Sequence, residues 1–264
     1  MKGARPTEEW QVLPGARTGR DPERSLRPGP RRLTPEQVAS RQRERLLDGV
    51  ARMVAAHGYA GARISDICRA AGVTRPVFYA LFTGKEDAVL AAYRSGTQMV
   101  VRAMQRPYEE AGGAASWPAA VRAGLRTMLA LLSQTPAFAR MVVEIESAGP
   151  AGRRARAELL ASFRRFFVDA PPAPSGVERA ELVDTVVGAV HAAVHRAVDQ
   201  DRTGELPRLL DTLVHVVVSP FTGTCLATDE GDGTAGTGRT GRTVGSGVSA
   251  GVGGSGGADV GTCT

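Results

Sequence analysis

Thr74, Arg75 and Val77 combine hydrogen-bonding and apolar groups within a few consecutive residues. In the first turn of a helix, such side chains can reach base edges in the major groove of DNA. Arg75 has the donors for a bidentate contact with guanine or for a phosphate contact, and both remain open. Val77 has the apolar surface to touch a thymine methyl group. The chemistry predicted for this cluster is DNA recognition.

Two short helices and a tight turn are predicted to position this cluster. Apolar residues in 64–71 recur at the helical spacing i, i+3, i+7. Gly72 suits the left-handed residue that follows a helix, and Thr74 suits the cap of the next helix. Pro76 would lie in the first turn of that helix, where a missing N–H costs least. The unit 63–82 therefore has the pattern of a helix-turn-helix.

A longer helix precedes this unit and another follows it. The segment 34–37 contains a capping threonine, an N1 proline and an acidic first turn, and the helix should run to about His57, where Gly58 stops it. A later helix begins at Lys85, whose ammonium group could face a phosphate together with the helix N-terminus. Residues 34–95 are therefore predicted to form a DNA-binding domain.

Residues spaced along 57–86 also match a known pattern. They are His57-Gly58-Tyr59, Ile64, Asp66-Ile67, Ala71-Gly72-Val73-Thr74, Phe78-Tyr79, Phe82 and Lys85-Glu86. In this order they resemble the DNA-binding domain of the TetR family of transcriptional regulators, over about residues 40–95. The chain departs from the family pattern at Arg63, Pro76 and Leu81.

The resemblance implies both a fold and a function. The fold is all-α, with a three-helix helix-turn-helix domain at 34–95 and a helical effector-binding and dimerisation domain at 96–220. The function is sequence-specific binding of an operator in double-stranded DNA by a homodimeric bacterial repressor, which a small-molecule effector releases. Tyr79 resembles the phosphate-contacting tyrosine of the family, with a half-buried aromatic as the alternative. The predicted DNA-binding residues are Arg63, Ser65, Thr74, Arg75, Pro76, Val77, Tyr79 and Lys85.

The two ends of the chain have compositions that disfavour an ordered core. Residues 1–33 are rich in Arg, Pro and Gly and carry 8 basic and 4 acidic groups. They should form a disordered basic arm, which either contacts DNA or is only solvated. Residues 221–264 are dominated by Gly, Thr, Ser and Ala and should form a disordered tail. The basic excess of the chain, net +6, lies before residue 96, where phosphate contacts would be needed.

Between residues 96 and 220, proline and capping patterns predict only helices. The segment 176–219 has two wide apolar faces, and Ala189 and Ala192 would allow helices to approach closely. These faces suit either a two-fold four-helix dimer interface or core packing within one subunit, and periodicity does not separate the two. The predicted helices are 85–105, 116–133, 135–147, 151–169, 176–200 and 205–219.

Large or polarisable side chains among the many alanines of this region could frame an effector pocket, although such residues are also ordinary core. The candidate ligand-binding residues are Trp117, Met128, Phe138, Met141, Phe163, Phe167, His191 and His195. His191 and His195 lie four residues apart on one helical face, where they could bind a metal. No third ligand stands at a fitting position, so neither a metal nor a cofactor is predicted, and the chain is not expected to be an enzyme.

Two alternative functions remain open. One is a regulator without an effector pocket that acts through a protein partner. The other is a helical metal-dependent enzyme that uses His191 and His195.

The cysteines and the apolar runs limit the class of protein further. Cys68, Cys225 and Cys263 are widely spaced, which predicts neither a disulfide framework nor a zinc site. Cys68 lies on the apolar side of a helix and is interpreted as a core residue. The chain shows neither a signal-peptide pattern nor about 18 consecutive apolar residues, so a cytoplasmic protein without a membrane span is expected.

Overall fold

The described part of the chain is helical throughout. A computed structural model describes residues 12–17 and 34–222, and no strand occurs among them, which confirms the predicted all-α class. The α-helices are α1 Pro35–Gly61, α2 Ile64–Ala71, α3 Arg75–Leu81, α4 Lys85–Glu110, α5 Trp117–Gln134, α6 Pro136–Glu144, α7 Pro150–Ser162, α8 Arg179–Asp199 and α9 Leu210–Thr222. We refer to α1–α3 as the head and to α4–α9 as the body.

Within these residues, no single helix has the length and apolarity needed to span a membrane. One pair of helical segments, Gly113–Gln134 and Pro136–Ala148, reaches that length and composition only when combined, and it is bent by 100°. The proposed DNA contact of the basic arm, Cys225, Cys263 and the tail from residue 223 onward lie outside the described residues.

Helix α1 begins at the predicted cap and is interrupted at the predicted stop. The Thr34 hydroxyl accepts the Gln37 N–H at 3.3 Å, and the Gln37 side chain accepts the Thr34 N–H at 2.9 Å, which completes a capping box. Gly58 leaves the helical conformation, with φ 65° and ψ 171°, and the chain is helical again up to Gly61. Leu46 on the inner face of α1 is fully buried.

The turn between α2 and α3 has the geometry that the sequence predicts. Gly72 adopts φ 63° and ψ 40°, a left-handed conformation in which a side chain would be strained. Its N–H donates to the Arg69 carbonyl at 3.2 Å, and the Val73 N–H donates to the Cys68 carbonyl at 3.0 Å, which forms a Schellman motif. Thr74 is the N-cap residue of α3, but its hydroxyl makes no capping hydrogen bond. Backbone hydrogen bonds therefore fix this turn.

Helix α4 continues through Pro107 to Glu110, whereas the sequence predicts an end before this proline. The reason is tertiary packing. Tyr108, directly after the proline, is buried, and its hydroxyl donates to the Phe166 carbonyl at 3.3 Å. These contacts outweigh the helical hydrogen bond that a proline cannot make.

Helix α9 likewise continues through Pro220, so the predicted start of a disordered tail at residue 221 is wrong. Phe221 is buried, and its ring centroid lies 5.3 Å from that of Trp117. An aromatic side chain contributes a large buried apolar area, which stabilises the last turn of the helix.

Four of the predicted helices begin or end as 3₁₀-helix. The 3₁₀ segments are Gly113–Ser116, Ile145–Ala148, Phe163–Phe167 and Thr203–Leu209. A further difference is at α8, which begins at Arg179 rather than near residue 176, because the Glu178 carboxylate caps it. The spacing of apolar residues does not distinguish an α-helix from a 3₁₀-helix, since both repeat about every three to four residues.

Residues 12–17 are ordered, which contradicts the predicted disorder of 1–33 for this segment. Leu13 is buried, and the Gly15 N–H donates to the buried carboxylate of Asp48 at 2.9 Å. Gly15 also lies against alanine methyl groups from α1 and α6. Burial of a leucine and a hydrogen bond to an ionisable group offset the entropy lost on ordering.

Helix α6 connects the head to the body. It packs along α1 on one side and touches α4 on the other. At the contact with α4, the fully buried ring of Phe138 lies against Gly96, where a Cβ atom would overlap the ring. Because Phe138 contacts α4 and belongs to α6, a displacement of its ring would also displace α4 or, through α6, α1.

Candidate DNA-binding surface and body cavity

Helix α3 has one buried side and one exposed side. Phe78 and Phe82 are buried, with ring centroids 5.6 Å apart. Tyr79 is 52% exposed, and its ring stands edge-on to Phe78 at a centroid distance of 5.4 Å. The Tyr79 hydroxyl has no hydrogen-bond partner among the described residues. The packed ring therefore presents a free hydroxyl to solvent.

Most of the predicted contact residues are exposed. Val77 and Lys85 are half-buried, and the other six are open to solvent. Arg75 has no ion-pair partner in the described part of the chain, and Arg63 starts α2 without a side-chain cap. We call the following residues the recognition surface: Arg63, Ser65, Thr74, Arg75, Pro76, Val77 and Tyr79.

Lys85 points to α1, which differs from the phosphate contact expected of it. Its ammonium group donates to the Tyr59 carbonyl at 2.8 Å and to the Ala60 carbonyl at 3.3 Å. It also lies 4.5 Å from the centroid of the Tyr59 ring, a cation–π distance. Lys85 therefore fixes the end of α1 against the start of α4.

Two arginines of α1 hold the C-terminal end of α2. Arg45 donates to the Gly72 carbonyl at 2.8 Å, and Arg52 donates to the Ala70 carbonyl at 2.7 Å. Cations at a helix C-terminus satisfy carbonyls that lack helical partners and interact favourably with the helix dipole. Sequence reasoning missed both residues. Their spacing of seven, which places them on one face of α1, is the pattern that could have found them.

Cys68 is a core residue, as predicted. It is 4% exposed on the inner side of α2. Burial raises the pKa of its thiol, and the nearby charge of Arg75 opposes that shift. A buried thiol of raised pKa is a poor nucleophile, so Cys68 serves packing.

The body contains an apolar cavity of about 100 Å³. Its walls come from α4 through α9 and are formed largely by Val, Leu, Met and Phe side chains. Of the candidate ligand-binding residues, five line this cavity: Met128, Phe138, Phe163, Phe167 and His191.

The other three candidates lie elsewhere in the core. Trp117 donates its indole N–H to the Phe166 carbonyl at 2.8 Å and packs between other rings. Met141 is fully buried but does not reach the cavity wall. His195 lies next to His191, with ring centroids 6.0 Å apart, but does not line the cavity. Residue type alone does not say which side chains face a void.

Of the ionisable groups that line the cavity, His191 has the pKa closest to neutral pH. Burial lowers its pKa below the ordinary 6.5, and the charges of Arg156 and His195 lower it further. Among the described residues, no group of three or more His, Cys, Asp or Glu side chains could hold a metal ion. The neutral imidazole therefore contributes a polar atom to an apolar wall.

Tyr108 is a cavity residue that sequence reasoning missed. It lines the cavity from α4, and its hydroxyl lies 3.1 Å from the Asp169 carboxylate. Burial raises the pKa of Tyr108, and the hydrogen bond to Asp169 adds to this effect. The phenol is therefore a fixed, neutral wall element. Sequence reasoning missed Tyr108 because it follows Pro107, which was expected to end the helix.

Two family models match the chain. One, described as bacterial regulatory proteins of the tetR family, matches residues 46–92. The other, described as a tetracyclin repressor-like C-terminal domain, matches residues 116–219. The chain belongs to the TetR family. The resemblance seen over residues 40–95 is confirmed, and this TetR-family protein is a transcriptional regulator with a helix-turn-helix DNA-binding domain.

Several solved structures share the fold of this chain. The fatty acid degradation regulator FadR from Bacillus halodurans is 16% identical, with a TM-score of 0.56, over 67% of this chain and 97% of that one. FadR from Bacillus subtilis, in complex with stearoyl-CoA, is 18% identical, with a TM-score of 0.58, over the same 67% and 97%. A TetR-like regulator from Rhodococcus sp. is 15% identical, with a TM-score of 0.52, over 70% and 96%. At these identities the likeness concerns the fold. No curated protein matches this TetR-family chain.

Proposed function

We propose that this protein is a homodimeric repressor that binds a specific operator and leaves it when an apolar small molecule occupies the body cavity. The observation that carries the proposal is the pairing of an exposed recognition surface on α2 and α3 with an apolar cavity in the body. A single polypeptide with both features can couple ligand binding to DNA affinity.

The recognition surface supplies two kinds of DNA contact. Arg75 and Val77, in the first turn of α3, would face base edges in the major groove. Tyr79 and Arg63 would hold phosphates, which position the helix but carry no sequence information. Arg45 and Arg52 would not touch DNA, because they are bound to carbonyls at the end of α2.

Helices α8 and α9 provide the surface for a second copy. Thr185, Ala189 and Ala192 are exposed on α8, and a Cβ atom added at Gly188 would meet nothing within 4 Å. Val186, on the same helix, is buried within the subunit. Small side chains let two helices approach closely, so α8 and α9 of two copies would form a four-helix interface across a two-fold axis.

A route from the cavity to the head runs through α6. Phe138 lines the cavity and belongs to α6, which packs along α1. A ligand that favours one position of this ring would favour one position of the head. The DNA affinity would then change by the ratio of the ligand's affinities for the DNA-binding and the released conformations. The stearoyl-CoA in the Bacillus subtilis FadR structure supports an apolar chain as the class of occupant.

The test is a salt-dependent binding titration with DNA from upstream of the gene, or with a site selected from random sequence. The full-length protein is compared with Arg75→Ala and Tyr79→Phe. Arg208→Ala, which removes an 81% exposed arginine of the body, is the control. Tight binding at physiological salt should fall about tenfold or more for Arg75→Ala. Tyr79→Phe should lose less, about the value of one hydrogen bond.

The salt dependence separates the two roles of Arg75. A phosphate contact would reduce the slope of log K against log salt by about one, whereas a base contact would leave the slope and relax the sequence preference. Light scattering should give twice the monomer mass of 27.7 kDa. Weak binding that ignores sequence and both substitutions, or a monomeric mass, would contradict the proposal.

A further inference from the structure

A polar cleft lies on the surface of the body beside the apolar cavity. It is formed by α4, α7 and the 3₁₀ segment after α7, and its volume is about 410 Å³. Three arginines line it, and we call it the arginine cleft: Arg94, Arg102 and Arg165.

The arginine cleft carries an unbalanced positive charge. Glu158 is the one carboxylate that lines it within the described residues, and it pairs with Arg94 at 3.3 Å. Arg102 donates only to the Gln98 side chain, at 3.4 Å, and Arg165 donates its Nε to a backbone carbonyl of its own turn at 3.0 Å. Both guanidinium groups keep further donors without partners among the described residues. Such donors bind carboxylate and phosphate oxygens well.

The arginine cleft and the cavity share part of their walls. Thr97 and Leu159 line both spaces, so these two side chains stand between them. The Thr97 hydroxyl donates to the Tyr93 carbonyl at 2.8 Å and is thereby bound to the backbone of its own helix. The two spaces are therefore neighbours, and the Leu159 side chain gives their common wall an apolar group that an alkyl chain could contact.

The cavity itself offers little to a charged ligand. Apart from Thr97, its polar wall residues in the described part of the chain are Tyr108, already hydrogen-bonded, and His191, held neutral by its surroundings. An apolar chain fits this wall, and a charge there would be desolvated without a partner. Arginines with unpaired donors line the neighbouring arginine cleft.

We propose that the effector is an anionic amphiphile, whose alkyl chain fills the cavity and whose anionic head group binds Arg102 and Arg165 in the arginine cleft. The inference rests on the proposed function and names the chemical class of its effector. The two spaces suit the two parts of such a ligand. The cavity offers no free polar partner to a head group, whereas the cleft offers unpaired cationic donors to an anion.

The test uses calorimetric titration of the full-length protein with three probes of equal chain length: decanoate, 1-decanol and decanoyl-coenzyme A. Decanoate should bind about tenfold more tightly than decanol, because only the anion pairs with the two exposed arginines. In the double variant Arg102→Gln/Arg165→Gln, that preference should vanish while the affinity for decanol stays the same. The matched control Arg126→Gln/Arg154→Gln removes two exposed arginines that line neither space, and it should keep the preference.

The two anionic probes distinguish a carboxylate head group from a phosphate-bearing one. The probe whose affinity falls more in the cleft variant identifies the source, and either result supports the inference. Equal binding of decanoate and decanol, or an unchanged preference in the cleft variant, would overturn the inference and leave the cavity as the effector site. Failure of all three probes to bind would overturn the inference and the proposed role of the cavity together.

Discussion

The head and the body of this protein are held in shape by different forces. In the head, Gly72 sets the turn, and Arg45 and Arg52 bond to backbone carbonyls at the end of α2. Lys85, the first residue of α4, bonds to backbone carbonyls at the end of α1 and so links the head to the body. In the body, long helices pack apolar side chains around a cavity. Directional hydrogen bonds suit a surface that must present side chains to DNA in one geometry, whereas apolar walls can repack around a ligand.

The largest effect is expected in the body core. Phe138→Ala should lower the free energy of unfolding by about 3–5 kcal/mol, because it removes a fully buried ring that spans from the cavity to α4. Urea denaturation followed by circular dichroism would measure this. Val168→Ala, at a side chain that is 77% exposed, is the control and should change stability by less than about 0.5 kcal/mol. If Phe138→Ala lowered the free energy of unfolding as little as the control does, packing of the Phe138 ring would not stabilise the body.

A smaller effect is expected at the turn of the head. Gly72→Ala should cost about 1–2 kcal/mol, because φ 63° is unfavourable for a residue with a side chain. The new methyl group would also displace the Arg45 guanidinium, so DNA affinity should fall even where the protein stays folded. Gly84→Ala is the matched control, since Gly84 is extended, with φ 178° and open space around it. If the two variants were equally stable and bound DNA equally, the turn would not depend on its backbone geometry.

The smallest effect is expected in the pH dependence of the body. The pKa of His191 is lowered in the folded state, so the unfolded chain binds the proton more readily. The neutral form of His191 therefore contributes stability that is fully present above the unfolded pKa of about 6.5 and is lost as pH falls through the lower folded pKa. Melting temperatures measured from pH 8 to pH 5 should decline less steeply for His191→Gln than for wild type. Parallel curves for the two proteins would refute this role of His191.

Much of the head could be predicted from the sequence, because its geometry depends on neighbours within a few residues. The capping box at Thr34, the left-handed Gly72 and the buried Phe78 each follow from local hydrogen bonding or spacing. The all-α class and the family follow from the same local patterns. The roles of the recognition-surface residues as DNA contacts stay a prediction.

The body could be predicted only in outline. Its helices were expected, but Pro107 and Pro220 did not end them, because buried aromatic residues just beyond each proline hold the helix. The order of segment 12–17 was not predicted either, because the carboxylate that binds the Gly15 N–H belongs to Asp48, 33 residues away in the sequence.

The sequence by itself determined which segments are helical, where the turn of the helix-turn-helix lies, and which family the chain belongs to. These properties depend on contacts between residues a few positions apart. Only the tertiary structure decided that Phe138 faces the cavity while Met141 does not, that Lys85 bonds to α1, and that two arginines with unpaired donors line a cleft that shares wall residues with the cavity. Such facts depend on which helices meet and at what angle, and the free energy of that packing is summed over contacts between distant parts of the chain.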